Sequence, residues 1–372
     1  MNKTHASTAA YFLAALLFIS CSAKEDPTST AKPDPNPTVV DTSTTLKAFV
    51  VPSGVTAPDF NSSSIESLWD NAEPLKFTAA AIGENFTGAS FPVTVKSVIS
   101  GQNIYFLVQY SDAEANLLNQ PLHFHGGDAL DPNAWTIDKT YEDGVSLLFE
   151  DPSNQGLSGT KTFASDGCTM LCHTANTAKW DKGMFAENSG RYDLWYWHAG
   201  KGNGSGYADD KISIGGPIYG LLKDDDNAEI YRNNVINDNP GYEPFLVPGG
   251  TNRNLDKKYY IAEESAASFI TANSKNPATN KAWAADDVVP SYTLAQPDDV
   301  ASDYLDVHAK GYYTNGGWVV KFQRKLNTAG SNKLDTQFAS GNEYRFSIAI
   351  HNNNSPGNHF GSANKSFTLK LP

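Results

Sequence analysis

Short apolar runs of period two, cut every few residues by Gly, Pro, Asn, Asp or Ser, leave this chain few choices of fold. Val93 and Val95 begin one such run, a Ser100-Gly101-Gln102-Asn103 turn follows, and Ile104, Phe106, Val108 and Tyr110 alternate with Tyr105, Leu107 and Gln109. This pattern predicts a strand pair over Phe91–Asp112. Trp318, Val320 and Phe322 alternate with Val319, Lys321 and Gln323, and Tyr344, Phe346, Ile348 and Ile350 with Arg345, Ser347 and Ala349. Val145–Phe149 is nearly continuous in apolar character, as a strand buried on both faces would be, and a last strand is expected near Ser366–Leu371. The 29 glycines and 20 prolines break every long amphipathic helix. The fold class expected is all-β, a β-sandwich with long loops and short helices. Strands are expected to bracket a loop-rich middle from about 113 to 310.

The first 20 residues read as an export signal and not as part of the fold. Lys3 gives a positive start, and Tyr11–Ile19 is an apolar segment too short to span a bilayer. It ends in Phe18-Ile19-Ser20-Cys21, which resembles a lipobox, so Cys21 is the expected lipidation site and acyl chains the expected membrane anchor. Ser22 after that cysteine favours the outer membrane, and Lys24-Glu25-Asp26 resembles the charged tether of surface-exposed lipoproteins. Residues 21–44, rich in Pro, Ser, Thr and Asp, read as a flexible tether. The expected folded domain is 45–372, with an insertion over about 215–290 in which the Asp224–Asp226 and Asn233–Asn239 runs read as solvated loops. Removing residues 1–20 leaves 27 basic and 41 acidic residues, a net charge of −14, which excludes nucleic acid as a natural partner and suits a cationic redox partner.

Three cysteines are present, and two of them lie in Cys168-Thr-Met-Leu-Cys172-His173. The two thiols can add across the two vinyl groups of a haem, which holds His173, the next residue, under the iron as its proximal ligand. The spacing has one residue more than the usual C-x-x-C-H. A disulfide is the plain alternative in an exported protein. Zinc would need a fourth ligand beyond Cys168, Cys172 and His173, and a thioredoxin-like pair would need another spacing and a βαβ pattern. The expected cofactor is one covalent haem c, and the role expected is single-electron transfer with a redox partner or an extracellular acceptor, not substrate chemistry.

Several blocks then occur in a recognisable order: Tyr105–Asp112, Asp143-Gly144-Val145-Ser146-Leu147-Leu148-Phe149, the Cys/His motif, Gly190-Arg191-Tyr192-Asp193-Leu194-Trp195-Tyr196-Trp197-His198, Gly206–Asp210, Gly317–Leu326 and Phe346–Ile350. Over residues 60–372 this order resembles the haem-binding family related to the gamma subunits of ethylbenzene dehydrogenase and dimethylsulfide dehydrogenase, in a variant that adds a c-type attachment motif. The resemblance implies a β-sandwich with haem at one end. It also implies iron ligation by a Met before the D-x-W-x-W segment, where Met184 stands, and by a Lys near the C-terminus, where Lys365 and His359 stand. With His173 as proximal ligand, one family ligand is displaced; His359 is the distal ligand expected, and Met184 its alternative. Trp195 and Trp197, with Trp180, are expected to wall the haem, and His198 to bond a propionate or cover the ring edge. His351 is a further candidate, and His123 and His125 a possible metal pair. Two rivals remain: a surface carbohydrate- or ligand-binding lipoprotein without haem, and the haem subunit of a molybdenum oxidoreductase.

Overall fold

The computed structural model describes residues 43–82, 86–128, 134–154, 162–172, 190–204, 206–214, 222–224, 231–233, 259–261, 265–267, 281–289, 292–294, 306–328, 335–354, 358–362 and 366–372. The signal segment, nearly all of the tether and most of 215–290 lie outside the described residues. Strands dominate. In chain order they are β1 (Thr45–Val50), β2 (Leu75–Ile82), β3 (Phe91–Ser100), β4 (Asn103–Ser111), β5 (Leu122–Phe124), β6 (Trp135–Ile137), β7 (Gly144–Glu150), β8 (Arg191–His198), β9 (Asp209–Ile214) and β10 (Leu222–Asp224). After these come β11 (Tyr231–Asn233), β12 (Tyr259–Ile261), β13 (Ser265–Ala267), β14 (Val288–Val289), β15 (Tyr292–Leu294), β16 (His308–Tyr313), β17 (Gly317–Lys325), β18 (Glu343–His351), β19 (His359–Ser362) and β20 (Phe367–Lys370). The α-helices among the described residues are two of four residues each, α1 (Phe163–Asp166) and α2 (Thr169–Cys172).

Thirteen strands form one sheet in the order β10-β9-β8-β7-β18-β19-β2-β3-β4-β17-β16, with β1 and β20 bridging β3 and β18 beside β2 and β19. Strands far apart in that order touch through their side chains. Trp197 of β8 and Trp318 of β17 have ring centroids 5.0 Å apart, and Phe106 of β4 lies 5.8 Å from Phe149 of β7 and 5.7 Å from Trp195 of β8. The sheet therefore doubles over, and its two halves enclose one core: an all-β, sandwich-like fold. Alternation decides what enters it. Val145, Leu147, Phe149, Trp195, Trp197, Phe346, Ile348 and Ile350 point inward, while Ser146, Leu148, Tyr196, His198, Ser347, Ala349 and His351 take the other face.

The hairpin expected over Phe91–Asp112 is β3 and β4, joined by Gly101 and Gln102, with Ser100 paired to Asn103. Gly101 has φ +59°, the left-handed conformation such a tight loop needs. On β17 the Lys321 ammonium is buried and donates to the carbonyls of Asp59, Ser62 and Ser64 at 2.8–2.9 Å and to Glu66 Oε1 at 3.0 Å, so one cation fixes the loop before β2.

Within the middle expected to be loop-rich, β7 is the strand expected over Val145–Phe149, and β8 and β9 are strands that the sequence pattern does not announce. β7, β8 and β9 are consecutive neighbours in the main sheet. β8 is buried on both faces, so its Tyr-Asp-Leu-Trp-Tyr-Trp-His run lacks the alternation that marks a half-exposed strand.

Trp197 also explains Gly311 of β16. A methyl at Gly311 would overlap Cζ2, Cη2 and Cε2 of the indole. The indole cannot yield, because its Nε1 donates to Asn203 Oδ1 (3.1 Å), which also accepts from Gly311 N (2.7 Å), while Asn203 Nδ2 donates to Gly311 O (3.2 Å). Gly311→Ala is expected to destabilise the protein by about 3 kcal/mol, measured by urea unfolding. Gly311→Ala combined with Trp197→Leu should recover part of that loss.

Candidate functional site

Residues 162–172 cross the outer face of β7, β8 and β18. Thr162 caps α1, its Oγ1 accepting from Ser165 N at 3.2 Å, and Gly167 ends the helix at φ +55°. Phe163 stacks on Tyr192 (5.6 Å between centroids), and Met170, Leu171 and Cys168 pack with Leu148 and Leu194 in a buried cluster separate from the main core. The backbone N–H of Cys168 donates to Ser347 Oγ at 3.0 Å. Its Sγ lies 3.6 Å from His359 Nε2, and both groups are buried.

His359 is not in a loop, as expected, but in β19, paired to Ile82 of β2. The β18–β19 register, Ala349 to Gly361, sets His359 across from His351, and His351 is paired to Gly144, which is paired to His198. One row of the outer face thus reads His198, Gly144, His351, His359. Tyr196 fills the space over Gly144, with its ring 3.8 Å from that of His198 and 4.7 Å from that of His351; His351 is 5.9 Å from His359. The next row, Tyr196, Ser146, Ala349 and Gly361, carries small side chains past the tyrosine. His351 Nε2 is 3.2 Å from Ser146 Oγ, and its Nδ1 has no hydrogen-bond partner among the described residues. Burial, and then the neighbouring His359 and His198, push His351 well below the ordinary imidazole range, so it is neutral.

His198 ends the row in a different setting. Nδ1 lies 3.1 Å from Glu142 Oε1 and Nε2 3.2 Å from Asp209 Oδ2, with Lys201 and Lys211 completing the ion-paired group. Burial would raise the Glu142 carboxyl, but Lys201 and His198 outweigh it and hold it below its ordinary value; Asp209 is held low in the same way, by Lys211 first. Both ring nitrogens of His198 are engaged, and Tyr196 and His351 separate it from Cys168.

Of the residues expected at the site, the fold brings Cys168 and His359 into contact and adds His351. It does not bring Trp195 and Trp197 there. They point to the opposite face of β8, into the core, Trp195 against Phe106, Phe149 and Phe338 and Trp197 against Trp318. In a strand, odd and even residues cannot share a face. The backbone of Cys172 closes α2; its side chain, together with His173, Trp180, Met184, Lys365 and Cys21, lies outside the described residues. His123 is set between Asp138 (3.3 Å) and Asp286 (3.2 Å) on β5, away from this face; the Asp286 contact raises its pKa despite partial burial.

Cys168 and His359 are donors of the kinds a haem c would use, a thiol and an imidazole; they converge, buried, beside a row of small side chains, with a second, neutral imidazole, His351, at its edge.

Two further polar clusters had no signal in the sequence. Asp143 Oδ2 accepts from Asn116 N (2.7 Å) and Trp318 Nε1 (3.0 Å), and burial together with Asp112 pushes its pKa up to about 7; burial raises Asp112 as well. Each folded pKa exceeds its unfolded value near 4, so the native state holds protons that the unfolded chain has released, and stability falls as pH rises towards 7. Asp112→Asn is expected to flatten that fall, worth about 1.4 kcal/mol for each pKa unit relieved, as read from unfolding midpoints at pH 5 and pH 8. The second cluster is Arg324 with Asp193, Asp335, Asp306 and Asp210. Asp210, Asp306 and Asp335 are the one group of three His, Cys, Asp or Glu ligand atoms within 4.8 Å of one another among the described residues.

The fold defines the class: an all-β, sandwich-like domain with a buried Cys–His contact on its outer face. The chain belongs to the ethylbenzene dehydrogenase family, whose model matches residues 66–363. No curated protein matches it. Among solved structures it is similar to a carbohydrate-binding module of family 9 from Caldicellulosiruptor kristjanssonii, seen in complex with glucose (8% identity over 88% of this chain and 95% of that chain, TM-score 0.32) and with cellotriose (10%, 88% and 93%, TM-score 0.29). No described helix is long and apolar enough to cross a membrane.

Proposed function

We propose that this chain is an exported monohaem c-type cytochrome, tethered by lipid on Cys21 to the outer membrane, that passes single electrons to or from a redox partner. The observation that carries it is the Cys168-Thr-Met-Leu-Cys172-His173 motif in a member of the ethylbenzene dehydrogenase family, with Cys168 and His359 buried side by side. Haem would supply one-electron redox chemistry. Cys168 and Cys172 would hold it covalently and His173 would be the proximal ligand, with His359 the distal ligand (Met184 the alternative). His351, neutral and with Nδ1 unpartnered among the described residues, would hydrogen-bond at the haem edge, and the packing of Met170 and Leu171 with Leu148 and Leu194 shields Cys168 from water.

The test is the absorbance spectrum of protein produced in a host with haem-attachment machinery, followed by haem staining after denaturing electrophoresis. Soret and α bands and one covalent haem per chain are expected. A colourless, iron-free protein would refute the proposal.

A further inference from the structure

We propose that the carboxylates of Asp210, Asp306 and Asp335 form a calcium site that pins the seam where the doubled sheet meets itself. The backbone draws that seam. β16 ends the order of the main sheet, and its far side meets the residues just ahead of β9: Ala208 N donates to Val307 O and Ala309 N to Gly206 O, both at 3.0 Å, with Tyr207 bridged to His308. Asp210 follows Ala208 on one side of the seam and Asp306 precedes Val307 on the other. Asp210 is paired to Trp195 of β8 and so takes the core side of the sheet. Asp335 comes in from the segment between β17 and β18.

One oxygen from each of these three carboxylates lies within 4.8 Å of the others. At calcium–oxygen distances of about 2.3–2.6 Å, one ion touches donors spaced this closely. The donors are oxygens alone, with no thiolate or imidazole among them, which selects a hard cation. Magnesium keeps several waters and suits a buried group less well than calcium. Charge points the same way. Arg324 is the cation that faces Asp193, Asp210, Asp306 and Asp335, and it balances one of the four charges they carry when ionised. An uncompensated buried charge is costly, and a divalent ion cuts the excess from three to one.

The hydrogen bonding leaves acceptors for such an ion. Asp193 Oδ2 accepts from Arg324 Nη1 (2.9 Å) and Thr336 N (2.8 Å), and the same Nη1 lies 3.9 Å from Asp335 Oδ1. Asp335 Oδ1, on a side chain only 10% exposed, is buried with no hydrogen-bond partner among the described residues, and so are Asp306 Oδ1 and Asp193 Oδ1. The Thr336 hydroxyl beside them is in the same position. Buried oxygens of this kind call for an ion or water to satisfy them. An ion held here ties β9, the lead-in to β16 and the segment after β17 into one joint.

The test uses the full mature chain, haem-free and stripped with chelator, and follows its thermal unfolding and its heat of binding as calcium is added. Calcium should raise the wild-type midpoint saturably, with one ion bound per chain. Asp306→Asn should weaken binding by at least about tenfold, because affinity follows the charge of the ligands. In chelator the same variant should unfold no lower than wild type, since it removes part of the excess charge; a merely structural aspartate would not give that pairing of effects. Asp335→Asn should lose calcium binding as well, whereas Asp112→Asn, in the other acidic pair, should keep the wild-type response. Terbium, added in place of calcium, should give emission on indole excitation in wild type and be displaced by calcium. A wild type whose midpoint and heat do not respond to calcium, or an Asp306→Asn protein that responds as wild type does, would overturn the proposal. Neither result bears on the haem.

Discussion

Cys168→Ala/Cys172→Ala is expected to abolish covalent haem completely while leaving secretion and the sandwich unchanged. The two sulfurs are the only thiols within the folded domain expected over 45–372, so no other residue can form a thioether. The fold should survive because Cys168 is one small member of a cluster whose mass comes from Phe163, Met170, Leu171, Leu148, Tyr192 and Leu194. Truncating a buried cysteine removes about one sulfur's worth of packing, roughly 1 kcal/mol. The single variants separate the roles further. Cys172→Ala should retain a haem bound through Cys168, whereas His359→Ala should keep the covalent bond and change the spectrum and midpoint potential if His359 is the axial ligand proposed. Staining after denaturing electrophoresis checks the first, and redox titration of the purified protein checks the second. Haem that stays with the double variant through denaturation would contradict the attachment scheme.

Replacing Arg324 by methionine is expected to cost 3–5 kcal/mol at neutral pH, the range for removing one partner from a buried ionic group. The guanidinium is fully buried. Nη1 donates to Asp193 Oδ2 at 2.9 Å and lies 3.9 Å from Asp335 Oδ1, Nη2 donates to the carbonyl of Thr336, and the group lies over the Trp195 ring at 4.7 Å. Methionine fills similar volume but leaves Asp193, Asp210, Asp306 and Asp335 without that cation. Burial already raises Asp306 to about 6, and Asp193 is raised as well, despite the pull of Arg324 on both. With the arginine gone these carboxyls take up protons more readily. The sign follows: the native variant binds protons that its unfolded chain does not, so its deficit should shrink as pH falls from 8 to 5. Urea unfolding at the two pH values checks this, and Arg324→Met combined with Asp193→Leu should recover part of the loss. An equal deficit at both pH values would mean that packing on Trp195, not charge, dominates.

Much of the fold was legible because burial on one face writes itself into the sequence. The alternation in Phe91–Ser111, Trp318–Phe322 and Tyr344–Ile350 corresponds to β3, β4, β17 and β18. It failed where both faces are covered. In β8 the inward face meets the core and the outward face meets residues 162–172, so apolar and polar side chains are buried on both faces and no alternation marks the strand. The same doubling misassigned Trp195 and Trp197: their neighbourhood to His198 in sequence suggested one site, but adjacent residues in a strand serve opposite faces. The motif itself was legible from Cys168, Cys172 and His173. The sequence marks His351 only as one further candidate and Ser347 not at all, because their place comes from the register of β18 against β7 and β19. Asp112 and Asp143 lie 31 residues apart in the chain, and Arg324 and Asp193 lie 131 apart, so neither pairing leaves a local pattern.

β1 is held on one side by β3 and on the other by β20, in parallel, with Thr45 beside Thr368 and Lys47 beside Lys370. The first and last described strands thus interlock, and this bridge between β3 and β18 cannot close before β20 is in place. Such long-separated pairing is slow to close. A nascent chain of this design remains threadable during translation, and a truncation that removes Phe367–Lys370 would unlatch the amino-terminal strand as well as the carboxyl-terminal one.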